Sequence, residues 1–264
     1  MKADKASKTA QYMALFRAIE TARPQGSSLF KDPYAIRFLD RTLRLVAALS
    51  SLPVGRNLIP RLVEKEAPGA LASGVARTKY IDDLLEKSVR AGARQVVILG
   101  AGFDMRAFRC DFLKSSAVIE IDHPDTSRFK LRRLTREKDM PRDRVFYCEA
   151  DFNKQSLEEI GAASMIDYKA PTAVLWEGVT GYLTSDAVDA TLKWSENFSR
   201  VDLIFTYLDK RVLDHPEEFF GSQRTIRYLK ENEEQWTFGF ALEELPSYLE
   251  RYGLTLVAEA GAAD

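Results

Sequence analysis

Five stretches of this chain carry side chains able to grip a polar ligand: Arg77, Gly100-Ala101-Gly102, Asp122, Asp151-Phe152 and Glu177-Gly178. The glycines at 100 and 102 let a backbone approach a ligand closely. The same spacing suits any tight strand-to-helix turn, and Asp104 behind it reads equally as a helix cap. Asp122 lies 20 positions after Gly102, where nucleotide-binding α/β folds place a carboxylate on the two ribose hydroxyls. Glu120 alternates with it, but Asp122 stands nearer the end of its strand. Asp151 either accepts from an adenine amino group, with Phe152 on the ring, or shares with Asn153 the role of capping a helix near Lys154. A carboxylate at Glu177, among glycines at a buried sheet edge, needs a cationic partner. That partner is a ligand ammonium or sulfonium, or a protein Arg or Lys. Arg77 either forks onto a ligand carboxylate or is a solvated cation at a helix start.

Ribose, adenine, ammonium and carboxylate occur together in S-adenosyl-L-methionine. A dinucleotide would bring pyrophosphate instead, and its fingerprint wants a third glycine where this chain has Met105. No tyrosine has a lysine four positions on, and no Walker phosphate loop is present. A nucleotide-dependent oxidoreductase is the weaker alternative.

The elements that must position these residues alternate. Short apolar runs predict strands over 95–99, 117–121, 144–149, 172–176, 201–207 and 254–258. Between them, helical patterns fall at about 125–138, from about 154, and at about 185–198 and 242–251. A helix carrying Ile81, Leu84, Leu85 and Val89, ended by Gly92, precedes the first strand. This alternation predicts an α/β fold, a mostly parallel sheet with helices on both faces and ligands at the carboxyl ends of its strands. The first 75 residues read as helical and irregular, broken by Pro53, Gly55, Pro60, Pro68 and Gly69. The expected organisation is a helical lid over 1–75 and a ligand-binding domain over 76–264, with a lid insertion at about 210–240.

Composition narrows the function classes. The chain has 264 residues, 45% of them hydrophobic, which suffices for a sizeable core. Lys+Arg number 38 and Asp+Glu 39, for a net charge of −1. This balance removes the main electrostatic reason to expect a nucleic-acid or polybasic membrane partner. Two distant cysteines, Cys110 and Cys148, speak against a disulfide framework, and two histidines, His123 and His215, exclude a His-rich metal site. No apolar run approaches the roughly 18 residues of a membrane span. The basic N-terminus is not followed by an apolar signal core. A cytoplasmic protein is expected.

The sequence resembles the leucine carboxyl methyltransferase family, in particular its bacterial S-adenosylmethionine-dependent branch. The resemblance rests on Leu29-Phe-Lys-Asp-Pro-Tyr-Ala35, Ala76-Arg-Thr-Lys-Tyr-Ile-Asp82 and Val97-Ile-Leu-Gly-Ala-Gly-Phe-Asp-Met-Arg-Ala-Phe108. It continues through Glu120-Ile-Asp-His-Pro124, Glu149-Ala-Asp-Phe152, Trp176-Glu-Gly-Val-Thr-Gly-Tyr-Leu183 and Trp236-Thr-Phe-Gly-Phe240. It implies a Rossmann-like class I methyltransferase fold. It also implies that Arg77 binds the methionine carboxylate, Gly100 and Gly102 line the ligand, and Asp122 holds the ribose. Asp151 and Phe152 would frame the adenine, and Glu177 would face the amino group. Two departures stand out. Asp104 occupies the place of a third glycine common in the wider class. The sequence reaches Asp264 just after the expected sixth strand, whereas the fold normally ends in a seventh, antiparallel strand, so a slot or unpaired edge is expected.

The activity so implied is O-methyl transfer to a carboxylate or hydroxyl of a small molecule or peptide. A carboxylate acceptor is already ionised at neutral pH and needs no base. Tyr182 stands nearest the expected methyl and is the candidate to touch the acceptor. His215 is the one histidine placed for a base, though beside Pro216 it reads more simply as a helix-start residue. Phe219, Phe220, Tyr228, Trp236, Phe238 and Phe240 either line an apolar cleft or pack a lid on the sheet. A relative that binds the ligand without turnover is the other alternative. The acceptor and the oligomeric state are left open.

Overall fold

The computed structural model describes residues 8–134, 143–152, 154–232 and 234–261. At its centre lie five strands, β1 (Gln95–Leu99), β2 (Ala117–Asp122), β3 (Val145–Glu149), β4 (Thr172–Trp176) and β5 (Val201–Phe205). They pair in parallel in the order β3-β2-β1-β4-β5. Val97 faces Ile119 on one side and Val174 on the other. Every residue of β1 and β4 is buried, so these strands read as unbroken apolar runs without alternation. Strand order reverses between β1 and β4, which opens a crevice at their carboxyl ends.

The N-terminal helices are α1 (Lys8–Thr21), α2 (Arg41–Ser50), α3 (Gly55–Glu66) and α4 (Ala70–Arg90). Along the sheet follow α5 (Arg106–Arg109), α6 (Pro124–Leu134), α7 (Leu157–Ala163) and α8 (Ser185–Ser195), then α9 (Arg211–Asp214), α10 (Ser222–Glu231) and α11 (Leu245–Glu250). Ile81 and Leu85 of α4 pack with Val96, Ile98 and Val118 on one face of the sheet. Leu157 and Ile160 of α7, Val188 and Leu192 of α8, and Leu245 of α11 pack with Val97 and Val174 on the other. The chain therefore has a Rossmann-like α/β architecture. None of its described helices is long and apolar enough to cross a membrane.

Four expectations need correction. Leu254–Ala258 forms no regular element and pairs with no strand among the described residues. Leu254 and Leu256 still pack on the core, so the apolar alternation is real, but a strand also needs a backbone partner, and among the described residues it has none. The outer edge of β5 is likewise unpaired among the described residues. Pro60 sits inside α3 and does not break it. The missing N–H costs one helical bond, which burial of Ile59 and packing of Val63 offset. Arg77 lies in the third turn of α4, not at a helix start, and this helix runs unbroken through the expected boundary at 75/76. Finally, α7 is capped by Ser156, whose side chain accepts from Glu159 N while Glu159 reaches back to Ser156 N. Asp151 is not its cap. Asn153 and the last residues of the helix expected over 125–138 lie outside the described residues.

Glu120 of β2 points into the core, where its carboxylate meets Lys130 Nζ at 2.6 Å, both side chains being almost fully buried. Burial raises its pKa to about 7 against the downward pull of Lys130. A folded pKa above the unfolded one stabilises the protonated folded state. That contribution is full below the ordinary value of 4.5 and is lost as pH rises through about 7. The melting temperature is expected to fall by several degrees between about pH 5 and pH 8. Scanning fluorimetry of Glu120→Gln should show a flatter profile over this window; an unchanged slope would refute the assignment.

Candidate functional site

The loop after β1 begins the site. Gly100 and Gly102 have φ of +64° and +49°, where side chains are strained. A Cβ on Gly100 would also lie 2.5 Å from Val179 Cγ2, so the β1 and β4 loops meet only because that atom is missing. The N-terminal helices fasten this loop from above. Arg17 of α1 donates to the Phe103 carbonyl at 2.8 Å and pairs with Asp32 at 2.9 Å. Phe103 stacks on Phe38, ring centroids 4.8 Å apart.

Asp122 ends β2 beside this loop. One carboxylate oxygen accepts from Gly102 N and the other from His123 N at 2.6 Å. Burial raises its pKa, and those two N–H groups oppose the rise. Each oxygen keeps a lone pair. Glu120, two residues earlier, is committed to Lys130 and does not line the cleft, whereas Asp122 does.

Glu177 follows β4. It accepts from Arg77 Nε at 3.0 Å and from Arg106 Nη1 at 2.8 Å. Burial would raise its pKa, but Arg106 and Arg77 outweigh it and hold the carboxyl below the usual range. Protein cations therefore meet part of the need for a partner that its position creates. Gly178, with φ +70°, has open space where a Cβ would stand. Arg77 is itself a third exposed, and its Nη2 lies 3.4 Å from Met13 Sδ.

Arg106 is the residue that sequence reasoning missed. Its guanidinium, 4% exposed, contacts Asp82 at 2.7 Å, Glu177 at 2.8 Å and also Asp104. Arg109 adds a bidentate fork onto Asp82 at 2.7 and 2.8 Å. Burial would raise Asp104, yet Arg106 and Lys130 pull it down to about 2. Asp104 thus serves this buried network in place of the third glycine. The signal available in the sequence was the excess of carboxylates at the strand ends, which demanded a cation.

Asp151 and Phe152 follow β3. The Asp151 carboxylate pairs with Lys154 at 3.0 Å, and Phe152 packs partly on the core. Tyr182 lies in the turn after β4. Burial raises its pKa, and the neighbouring Trp236 and Thr9 oppose the rise. Gly181 makes room for Trp236, whose Cδ1 would be 3.1 Å from a Cβ there.

All eight expected site residues, Arg77, Gly100, Gly102, Asp122, Asp151, Phe152, Glu177 and Tyr182, line one cleft at the carboxyl ends of the strands. Its volume of about 3250 Å³ exceeds the roughly 300–1,000 Å³ of a single small-ligand site. The excess comes from a continuous opening along the free edge of β5. Phe219, Phe220 and Trp236 also line it, whereas Phe238 and Phe240 pack in the core and Tyr228 packs edge-on to Tyr12. His215 is exposed, lies 3.6 Å from Glu217 and is not part of the cleft.

Known proteins resemble this chain in sequence and in fold. The family model described as "Leucine carboxyl methyltransferase" matches residues 10–196. The chain belongs to this family. A Frankia alni protein named "Putative S-adenosyl-L-methionine-dependent methyltransferase" is 36% identical over 185 residues, 70% of this chain and 62% of that protein. A Mycobacteroides abscessus protein of the same name is 34% identical over 232 residues, 83% of this chain and 71% of that protein. The chain spans about three fifths of the length of the first such relatives. Among solved structures, a DUF574 family protein from Streptomyces avermitilis superposes with a TM-score of 0.57 at 15% identity, over 92% of this chain and 82% of that one. A protein from Thermobifida fusca, titled a putative methyltransferase, gives 0.53 at 18% identity, over 89% and 81%. These two likenesses concern the fold. They share the α/β architecture of this family member.

Proposed function

We propose that this chain is an S-adenosyl-L-methionine-dependent O-methyltransferase acting on a carboxylate or hydroxyl of a small molecule or peptide. The observation that carries the reading is the convergence of Asp122, Asp151-Phe152 and the Arg77–Glu177 pair on one cleft. Open lone pairs at Asp122 suit a diol, and adjacent charges of both signs at Arg77 and Glu177 suit a zwitterionic amino acid. A pyrophosphate would meet Asp104, Asp122 and Glu177 with repulsion. Membership of the family and the printed names of the relatives support the same ligand.

When bound, the ligand supplies a sulfonium methyl already activated for in-line displacement. The chain then needs to align and shield. Asp122 fixes the ribose end, Arg77 and Glu177 fix the amino-acid end, and proximity of this kind is worth up to ~7–11 kcal/mol. Tyr182 stays protonated, because burial raises its pKa. It therefore orients the acceptor as a hydrogen-bond donor and does not serve as its base. This fits a carboxylate acceptor, which needs none.

Calorimetric titration with S-adenosylhomocysteine, with NAD in a parallel cell, tests the reading. Micromolar binding of the first alone is expected, followed by transfer of labelled methyl to carboxylic acids. Binding of NAD alone, or of neither by the folded chain, would overturn it.

A further inference from the structure

The strongest feature outside the cleft is the hairpin of α2 and α3. Gly55 permits it, since a Cβ there would sit 1.9 Å from the Leu49 carbonyl oxygen. Ala47, Ser50 and Ile59 face inward and are buried. Six large aliphatics face outward: Leu45 (60% exposed), Leu49, Leu52 (54%), Val54 (76%), Leu58 and Leu62. They are half of the twelve exposed large hydrophobics among the described residues, so they form a patch and are not scattered surface apolars. Leu45 and Leu49 are one helical turn apart, and Val54, Leu58 and Leu62 repeat at the same spacing.

The charges of the same hairpin are mostly positive. From Arg41 to Glu66 it has four arginines, Arg41, Arg44, Arg56 and Arg61, and Lys65, against two carboxylates, Glu64 and Glu66, confined to the last turn of α3. All four arginines are exposed, and none is in an ion pair among the described residues. The near-neutral balance of the whole chain conceals this local excess.

We propose that the outward face of this hairpin docks on an anionic lipid bilayer, its leucines entering the interface and its arginines meeting the headgroups. Leucines flanked by arginines are the composition of an interfacial helix. The patch has no aromatic residue, which a protein partner would favour. A second copy would set arginine against arginine. The hairpin also adjoins the cleft. Arg224 of α10 donates to the Lys65 carbonyl at 2.6 Å, and the Phe220 ring, which lines the cleft, lies beside Gly69 just past α3. Docking would therefore bring the cleft mouth towards the lipid surface. This inference does not depend on the reading of the cleft.

Sedimentation of the full chain with vesicles of phosphatidylcholine, with or without about 30 mol % phosphatidylglycerol, tests it. Binding to the anionic vesicles is expected, weakened by salt, and roughly tenfold or more tighter than to the neutral ones. Leu45→Ser with Leu58→Ser should weaken it at least about tenfold. Arg56→Glu with Arg61→Glu should abolish the preference for anionic lipid. Both variants should retain the wild-type melting temperature. Absence of vesicle binding, or equal binding by folded variants, would overturn the proposal. So would a wild-type dimer, seen by light scattering without lipid, that the leucine variant splits; that result would assign the face to a second copy.

Discussion

Replacing Asp122 by alanine is expected to weaken S-adenosylhomocysteine binding roughly 10- to 100-fold, because two hydrogen bonds to a charged acceptor are lost at ~1.5–3 kcal/mol each and part is recovered by water. The carboxylate already accepts from Gly102 N and His123 N. Alanine therefore loosens the glycine turn as well as removing the ribose acceptor. Asp122→Asn separates the two effects. It keeps one acceptor oxygen for the turn but loses the charge and one acceptor for the diol, so its loss should be smaller yet clear. Calorimetry on both, with melting curves as the folding control, is the measurement. Wild-type affinity in folded Asp122→Ala would remove the ribose assignment. Wild-type affinity in Asp122→Asn alone would mean that the turn, not the diol, is what Asp122 serves.

The contrast between Asp122 and Glu120 also shows what the sequence made legible. Two positions apart, the two carboxylates share one face of the strand, and only the strand end opens to ligand. From these rules Asp122 was the better candidate, and Glu120 is indeed spent on Lys130. β1 and β4 were the most legible strands, since a short apolar run buried on both faces has few other solutions. Leu254–Ala258 shows the limit. Its alternation correctly marked Leu254 and Leu256 as core-packing, but periodicity carries no information about whether a backbone neighbour exists. The N-terminal helices were harder. Proline at position 60 signals a break in isolation, and only the packing of α3 outweighs it. Arg106 was illegible because two of its three carboxylate partners, Asp82 and Glu177, are 24 and 71 residues away, while the third, Asp104, read as a helix cap. Nothing local distinguishes it from the other cations of this chain.

Arg106 is nevertheless where the largest loss of stability is expected. Among the described residues its guanidinium is the one cation shared by Asp82, Asp104 and Glu177. Arg106→Met would leave Asp104 and Glu177 close together in a poorly solvated site, with only Arg77 still on Glu177. Removing one partner of a buried ion pair costs about 3–5 kcal/mol, mostly as the penalty of the charges left behind. Denaturant unfolding should show a loss of this size. The cause is then checked by neutralising what remains: Arg106→Met with Asp104→Asn should be more stable than Arg106→Met alone. The pH dependence has a definite sign. Asp104 is held at about 2 and Glu177 below its ordinary value. Their contribution is therefore present above the unfolded carboxylate range near 4 and is lost as pH falls towards 2. Wild type should lose stability over that acid window more steeply than the double variant. If the single and double variants are equally stable, stranded charge is not the cause, and the loss belongs to the packing of the arginine stem. If the single variant matches wild type, the network has no role in holding the strand ends together, and Glu177 owes its geometry to Arg77 alone.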